Sequence, residues 1–243
     1  MERKIEEALE HYRRRTGHAL ERPVVVMFDM DGILFDSMPA HTIAWKQVCD
    51  ENGIEAERNE FYSYEGRTGA STIDTLIRRQ FGRPATDEEK HSLYERKCVI
   101  FKSIGEPAPI PGALEATKAT IAGGARCVLV TGSGQRSNLD RLDREFEGAF
   151  PDNQRVTAYD VKRGKPDPEP YIIGMGKAGA RAWQAVGVDN APLGVESSSR
   201  SGAFTIGVRT GPLAEGSLLA AGADIEVNSM YDCAKIISEL LYI

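Results

Sequence analysis

The sequence VVVMFDMDGILFDS, residues 24–37, delivers two aspartates at the end of a continuous apolar run. Residues 24–28 are β-branched, sulfur-containing or aromatic, which is typical of a strand that is covered on both faces in a parallel sheet. Asp29 and Asp31 follow it directly. Because ligands of open α/β sheets bind at the carboxyl ends of the strands, this stretch predicts a chemical site at the two aspartates.

Further apolar runs recur along the chain, separated by stretches long enough to hold helices. They lie at residues 127–131, 155–159, 185–188 and 204–208. Such alternation predicts an α/β fold with a Rossmann-like parallel sheet and helical crossovers.

One interval is too long for a simple crossover. About 100 residues separate Gly32 from Thr131, whereas a βαβ unit takes about 30. The interval contains three apolar faces at helical spacing: Ala44, Trp45, Val48 and Cys49; Ile73, Leu76 and Ile77; and Leu93, Lys97, Ile100 and Ile104. We therefore expect residues 38–107 to form a helical cap domain that covers the strand ends and excludes water.

The remaining chain divides on either side of this insertion. Residues 21–37 and 108–243 are predicted to form the core domain. Residues 1–20 are predicted to form an N-terminal helical extension on its surface, because Ile5, Leu9 and Tyr12 recur at helical spacing.

Composition excludes several classes of function. A net charge of -6 argues against nucleic acid as a partner, since phosphate backbones are bound by surplus Lys and Arg. The four cysteines are scattered, without the spacing of a zinc site or a disulfide framework. No apolar window reaches the length of a membrane span, and residues 1–20 are too charged for a signal peptide. We expect a cytoplasmic protein without membrane partners, a monomer or a weak dimer.

Three later motifs place polar residues near the ends of predicted strands or in a stiff loop. LVTGSGQ, residues 129–135, offers Thr131, Gly132 and Ser133 to a phosphoryl group through hydroxyls and backbone N–H groups. RGKPDPEPY, residues 163–171, holds Lys165 in a proline-stiffened loop, and GVDNAPLG, residues 187–194, ends a strand with Asp189 and Asn190. Taken singly, each motif is more often an ordinary turn or a solvated charge than a site.

Together, these four motifs resemble the haloacid dehalogenase (HAD) superfamily of phosphotransferases. FDMDGILFDSMPAHTIAWKQV is similar to the β-phosphoglucomutase-like branch. YEGRTGAST, VTGSGQ, GKPDPEPY and DNAPLGV are closer still to a HAD-type inorganic pyrophosphatase of that branch.

The resemblance implies specific roles. Asp29 would be the nucleophile that forms an aspartyl-phosphate, and Asp31 the general acid and base. Thr131 and Lys165 would hold the transferring phosphoryl group, which needs dispersed positive charge. Mg²⁺ would be held by an Asp29 carboxylate oxygen, the backbone carbonyl of Asp31 and Asp189, with Asn190 as a further oxygen ligand.

Asn190 stands where many relatives have an acid, so one negative charge is missing from the metal site. Glu65, in the cap motif YEGRTG, is the candidate to replace it when the cap closes. His41 matches a cap-hinge histidine, although a helical histidine beside Trp45 is also explained by packing. Lys97 either contacts phosphate from the cap or extends its charge to solvent from an apolar face.

We expect a Mg²⁺-dependent phosphohydrolase of small phosphorylated substrates, pyrophosphate first and a sugar phosphate second. The alternative is a β-phosphoglucomutase. That branch has a basic residue in the cap and another in the core, near the places of Gly69 and Gly134. This chain has neither, which weakens the alternative. A third possibility is a non-catalytic protein that binds phosphate ligands on the same scaffold. Dehalogenation is disfavoured, because that chemistry does not need the acid at Asp31.

Overall fold

The computed structural model describes residues 2–134 and 136–243, except for the side chains of residues 136–138. Within these ranges one parallel sheet has six strands in the order β3-β2-β1-β4-β5-β6. The strands are β1 (Val25–Phe28), β2 (Arg126–Val130), β3 (Arg155–Val156), β4 (Ala185–Asp189), β5 (Phe204–Val208) and β6 (Ile225–Val227). This confirms the predicted α/β fold.

The first strand lies in the middle of the sheet, between β2 and β4. The chain adds β2 and β3 on one side of β1 and then crosses to add β4, β5 and β6 on the other. In open α/β sheets, a ligand crevice forms where the strand order reverses in this way. The reversal between β1 and β4 therefore brings the ends of these two strands together at the candidate site.

Helices lie between the strands and in the long insertion. They are α1 (Glu2–Thr16), α2 (Met38–Glu51), α3 (Gly69–Phe81), α4 (Asp87–Ile104), α5 (Ala113–Ala122), α6 (Arg136–Glu145), α7 (Glu169–Ala178), α8 (Pro192–Arg200), α9 (Ser217–Ala220) and α10 (Met230–Leu240). Local chemistry explains their ends. The Thr68 hydroxyl caps α3, and Thr86 and Glu89 form a reciprocal capping box at the start of α4.

Helices α2, α3 and α4 bury their apolar faces against one another in a hydrophobic cluster separate from the cluster around the sheet. Ile104, predicted to share that buried face, is 41% exposed in the last turn of α4, and Phe101 is buried in its place. A separate apolar core supports the predicted cap at residues 38–107, and the domain division stays a prediction.

The N-terminal helix lies on the core domain with one apolar face buried, and its standing as a separate extension stays a prediction. Ile5 and Tyr12 belong to the main hydrophobic cluster, and Tyr12 is fully buried against Phe204. Arg15 pairs with the buried carboxylate of Asp224 at 2.7 Å. Helix α1 therefore packs on the core domain through the face that the spacing of Ile5, Leu9 and Tyr12 predicted.

Two strands differ from the prediction. Strand β3 ends at Val156, because the Thr157 hydroxyl and backbone N–H both bond to the Asp160 carboxylate and turn the chain out of the sheet. Strand β6 was not predicted, since Ile225–Val227 is too short to give a pattern.

Over the described ranges, no helix combines the length and the apolar character that crossing a membrane requires.

Candidate active site

The predicted site residues from the sheet meet at the carboxyl ends of its central strands. Asp29 follows β1, and its N–H donates to the Val188 carbonyl of β4 at 3.0 Å. Asp189 ends β4, and Thr131 follows β2. Asp29, Asp189 and Thr131 are all buried, so the sheet itself fixes their spacing.

Lys165 joins two carboxylates that the resemblance assigns to the metal site, those of Asp29 and Asp189. Its Nζ donates to Asp29 Oδ1 at 2.6 Å and to Asp189 Oδ2 at 2.7 Å. Burial opposes the charge of Lys165, but the carboxylates of Asp189 and Asp29 outweigh it and raise the pKa of the ammonium. Burial also raises the pKa of Asp29 to about 7, against the attraction of Lys165 and with the repulsion of Asp189 and Asp31.

Tyr171 is a buried partner of Asp189 that sequence reasoning missed. Its hydroxyl donates to Asp189 Oδ2 at 2.7 Å, the same oxygen that accepts from Lys165. The Ala191 N–H donates to the other oxygen, Oδ1, at 3.0 Å. Asp189 is therefore held from three directions. Tyr171 ends the motif GKPDPEPY, and its position there was the available signal.

Asp31 is held by partners from the first helix of the insertion. Its Oδ1 accepts from the Ser37 hydroxyl at 2.5 Å and lies 3.1 Å from His41 Nε2. Lys97 Nζ lies 2.6 Å from the other ring nitrogen of His41, Nδ1. Because an ammonium only donates, Nδ1 has to accept, which places the His41 proton on Nε2, facing Asp31.

This chain of hydrogen bonds sets the charge of its members. Burial lowers the pKa of His41, and the Lys97 charge lowers it further, so the ring is neutral near pH 7. Burial lowers the pKa of Lys97 to about 8. Burial acts to raise the pKa of Asp31, but His41, Ser37 and Lys97 together outweigh it and lower the value to about 2.

Lys97 does not reach solvent, so an extended surface lysine is the wrong explanation for it. The residue is 3% exposed, and its ammonium lies 4.9, 5.6 and 5.9 Å from the ring centres of Phe101, Trp45 and Tyr94. Aromatic faces attract a cation electrostatically and replace part of its lost hydration. His41 stacks on Phe101 at 4.2 Å, so packing and hydrogen bonding both fix it.

The insertion brings Glu65 into contact with the sheet. Glu65 Oε1 accepts from Asn190 Nδ2 at 2.8 Å, and both residues are buried. Burial raises the pKa of Glu65 well above its ordinary value; the Asn190 hydrogen bond opposes this, while the nearby carboxylates add to it. The structure therefore places the predicted cap acid beside the predicted metal ligand.

Glycines allow this close approach of the insertion to the loops at the strand ends. A Cβ at Gly132 would lie 2.9 Å from the Gly66 carbonyl oxygen and 3.0 Å from that of Arg67. A Cβ at Gly66 would lie 3.1 Å from the Lys165 side chain, and Gly66 has a φ of +86°. These contacts require glycine on both sides of the closed interface.

A partly open cavity of about 60 Å³ lies between the insertion and the sheet. Asp29, Asp31, Glu65 and Lys97 line its polar part, together with Gly132 and Ser133 of the loop after β2. The Ser133 N–H donates to Thr131 Oγ1 at 3.0 Å, which shapes that loop. Gln135, the last residue of the predicted phosphate motif, lies outside the described residues.

Arg67 lines the cavity and was also passed over by sequence reasoning. Its guanidinium lies 5.8 Å from the Tyr64 ring centre, and Nη1 donates to Thr75 Oγ1 at 3.2 Å. Its Nε is buried and has no hydrogen-bond partner within the described ranges. Arg67 follows Glu65 and Gly66 in YEGRTG, so its place beside the predicted acid was a usable signal.

The donor set fits a hard cation such as Mg²⁺. Asn190 Oδ1 is buried and has no hydrogen-bond partner among the residues that the structure describes. The other end of the same amide, Nδ2, donates to Glu65. Carboxylate and amide oxygens are the ligands such a cation prefers. The described part of the chain has no group of three or more His, Cys, Asp or Glu side chains close enough together to hold a metal. Lys165 bridges Asp29 and Asp189.

Comparison with known proteins gives a consistent set of relatives. The sequence model described as haloacid dehalogenase-like hydrolase matches residues 26–208. A phosphorylated carbohydrates phosphatase of Thermotoga maritima is 28% identical over 82% of this chain and 91% of its own length. Hexitol phosphatase A of Escherichia coli is 29% identical over 75% and 81%. A solved structure of a candidate β-phosphoglucomutase from Bacteroides vulgatus is 41% identical, covers 100% of both chains and has a TM-score of 0.94.

Proposed function

Because the chain belongs to the haloacid dehalogenase-like hydrolase family, we propose that it is a Mg²⁺-dependent phosphohydrolase that works through a phosphorylated Asp29. The contact of Lys165 with Asp29 supports this assignment. Lys165 holds Oδ1 at 2.6 Å, and Oδ2 makes no hydrogen bond to the described residues. A fixed carboxylate with one free oxygen is suited to in-line attack on phosphorus.

The residues supply each step of the reaction. Asp29 Oδ2 forms a bond to phosphorus as the bond to the leaving oxygen breaks. Asp31 passes a proton to that oxygen in the fraction of the protein in which it is protonated, because its pKa of about 2 leaves the carboxylate mostly charged in the substrate-free site. Water then attacks the aspartyl-phosphate, gives a proton to Asp31 and releases phosphate, so that both aspartates are restored. Lys165 and Thr131 hold the phosphoryl oxygens. When bound, Mg²⁺ would neutralise phosphoryl charge, with Asp29, the Asp31 carbonyl, Asp189, Asn190 and Glu65 as its ligands.

Pyrophosphate is the substrate that we favour. The carrying observation is that Glu65 reaches 2.8 Å from Asn190 beside a cavity of about 60 Å³ that the insertion partly covers. A volume of this size holds only a few water molecules, so a compact diphosphate suits it better than a phosphohexose. A buried acid from the insertion also becomes a metal ligand only when the site is shut.

A sugar phosphate is the second candidate, because several relatives are named as carbohydrate or hexitol phosphatases. Phosphoglucomutase activity is less well supported. At Gly69 and Gly134, where that branch has basic residues, a Cβ would lie 2.1 Å from the Tyr94 ring and 2.7 Å from the Tyr159 ring. A side chain at Gly69 would collide with Tyr94, whereas the ring of Tyr159 is 83% exposed and can move away from one at Gly134.

A phosphate-release assay of the full chain with Mg²⁺ tests the proposal, using pyrophosphate, hexose phosphates and glycolate phosphate, beside a glucose 1-phosphate isomerisation assay. We expect pyrophosphate to be hydrolysed fastest. Glu65→Gln should lower pyrophosphate turnover at least about tenfold and leave slow monoester hydrolysis little changed. Glu95→Gln, on the exposed face of α4, is the matched control. A clear preference for hexose phosphates, or no effect of Glu65→Gln, contradicts the pyrophosphatase assignment.

A further inference from the structure

Arg141 of α6 is a buried cation that the proposed reaction does not use. The residue is 7% exposed, and its guanidinium lies 4.8 Å from the ring centre of Phe35. Its Nε and Nη1 are buried without a hydrogen-bond partner among the described residues. The carboxylates of Glu106 and Glu145 approach Nε only to 3.9 and 4.0 Å, beyond hydrogen-bond distance. Since buried donors are nearly always paired, these two nitrogens require an acceptor.

A small cavity separates this guanidinium from the active site. Its volume is about 10 Å³, and it is lined by Met30, Asp31, Phe35, Ser37, Pro107 and Arg141. That is about the space that one water molecule needs. The cavity does not suit an anion, because the carboxylates of Asp31 and Glu106 already flank it.

Ser37 makes the cavity a complete site for water. Its hydroxyl hydrogen is donated to Asp31 Oδ1 at 2.5 Å, so the lone pairs of its oxygen remain available. A water that accepts from Nε and Nη1 of Arg141 has two hydrogens left, which Ser37 Oγ and the Asp31 carboxylate can accept. Such a water has the two to four polar partners that buried waters typically have.

We propose that Arg141 holds one buried water molecule in this cavity, and that the water fixes Ser37 and Asp31 in the orientation that proton transfer requires. Arg141 is then a positioning residue that acts through Ser37. The presence of the water stands on the geometry alone, whereas its effect on turnover rests on the proposed function.

The position of the cavity gives the water a second role. Ser37 immediately precedes α2, the first helix of the insertion, and Pro107 follows α4, the last one. Both chain segments that join the insertion to the sheet therefore line the same cavity. The water links these two segments to Asp31, so the connection between the insertion and the sheet is held to the proton-transfer group.

The first test is a crystal structure of the wild-type chain at a resolution that shows ordered water. We expect density in the cavity within hydrogen-bond distance of Arg141 Nε and Nη1, and its loss in Arg141→Met. An empty cavity, with the guanidinium paired directly to Glu106 or Glu145, overturns the proposal.

The second test is a double-mutant cycle of turnover with Arg141→Met and Ser37→Ala. We expect Arg141→Met to lower kcat about tenfold with KM unchanged, and the double variant to be no slower than the slower single variant. Arg144→Met is the matched control, since Arg144 lies on the same helix and pairs with Glu106 at 3.0 Å. Losses that add, or an equal loss in the control, overturn the positioning role. A wild type without phosphatase activity refutes the proposed function instead, and the density then decides the water alone.

Discussion

At the scale of single residues, the site holds more carboxyl groups than cations. Asp29, Asp189 and Glu65 are all buried, and Lys165 is the ammonium that bonds two of them. Burial raises the pKa of Asp29 and of Glu65, and the neighbouring carboxylates raise both further. The arrangement is therefore suited to receive a divalent cation.

The first prediction concerns the proposed nucleophile. Asp29→Asn should lower phosphate release at least about a thousandfold, because an amide does not attack phosphorus, while the fold stays intact. Steady-state kinetics and circular dichroism measure the two effects. Asp36→Asn, an exposed aspartate in the same loop, should retain activity. Near wild-type turnover in a folded Asp29→Asn would refute the aspartyl-phosphate mechanism.

The second prediction concerns Tyr171. Tyr171→Phe removes the hydroxyl that donates to Asp189 Oδ2 from a fully buried position, so we expect the free energy of unfolding to fall by about 1.5 to 3 kcal/mol. Urea denaturation provides the measurement. Tyr159→Phe, in a tyrosine that is 83% exposed, should change the free energy of unfolding little. Equal stabilities of the two variants would show that the buried hydrogen bond contributes nothing.

The sequence was sufficient to predict Asp29, Asp31 and Asp189, because residues that follow buried parallel strands meet at one edge of the sheet. It was not sufficient for Tyr171 or Ser37. Their roles depend on which buried carboxylate each hydroxyl faces, and tertiary packing alone determines that direction. Their functional roles, like those of the predicted residues, remain proposals.

At the scale of elements, the loop after β2 and the loop before α3 meet through glycine. The third prediction is that Gly132→Ala lowers turnover at least about tenfold, because its Cβ would press on the carbonyl oxygens of Gly66 and Arg67 and hold the insertion open. Thermal stability should change little. Gly176→Ala in α7, where a Cβ has open space, should keep full activity. Unchanged turnover in Gly132→Ala would show that full closure is not needed.

Element prediction succeeded where the hydrophobic pattern was long. The central strands gave continuous apolar runs, whereas β6 has only three residues and left no pattern. The apolar face of α1 was recognised, but the residues that it contacts were not. Tyr12 packs on Phe204, a residue almost two hundred positions away in sequence, and spacing within one helix carries no information about such a partner.

At the scale of the whole molecule, the fourth prediction concerns metal. EDTA should abolish turnover, and Mg²⁺ should restore it, because the ligands are hard oxygens. At about a hundred times its Kd, Mg²⁺ should also raise Tm by about 5 to 10 °C, since it binds only the folded chain. Calorimetry measures this second effect independently of activity. Full turnover in EDTA, with Tm unaffected by Mg²⁺, would exclude a metal site.

The central position of β1 has a consequence for biosynthesis. Its two neighbours, β2 and β4, begin at Arg126 and Ala185, so the ribosome releases the first strand long before either partner exists. At typical elongation rates the delay before β2 is complete is roughly 5 to 20 s. During that time the apolar segment Val25–Phe28 has no strand to pair with and is exposed to aggregation. We expect nascent chains of this protein to depend on a holding chaperone until β2 has emerged.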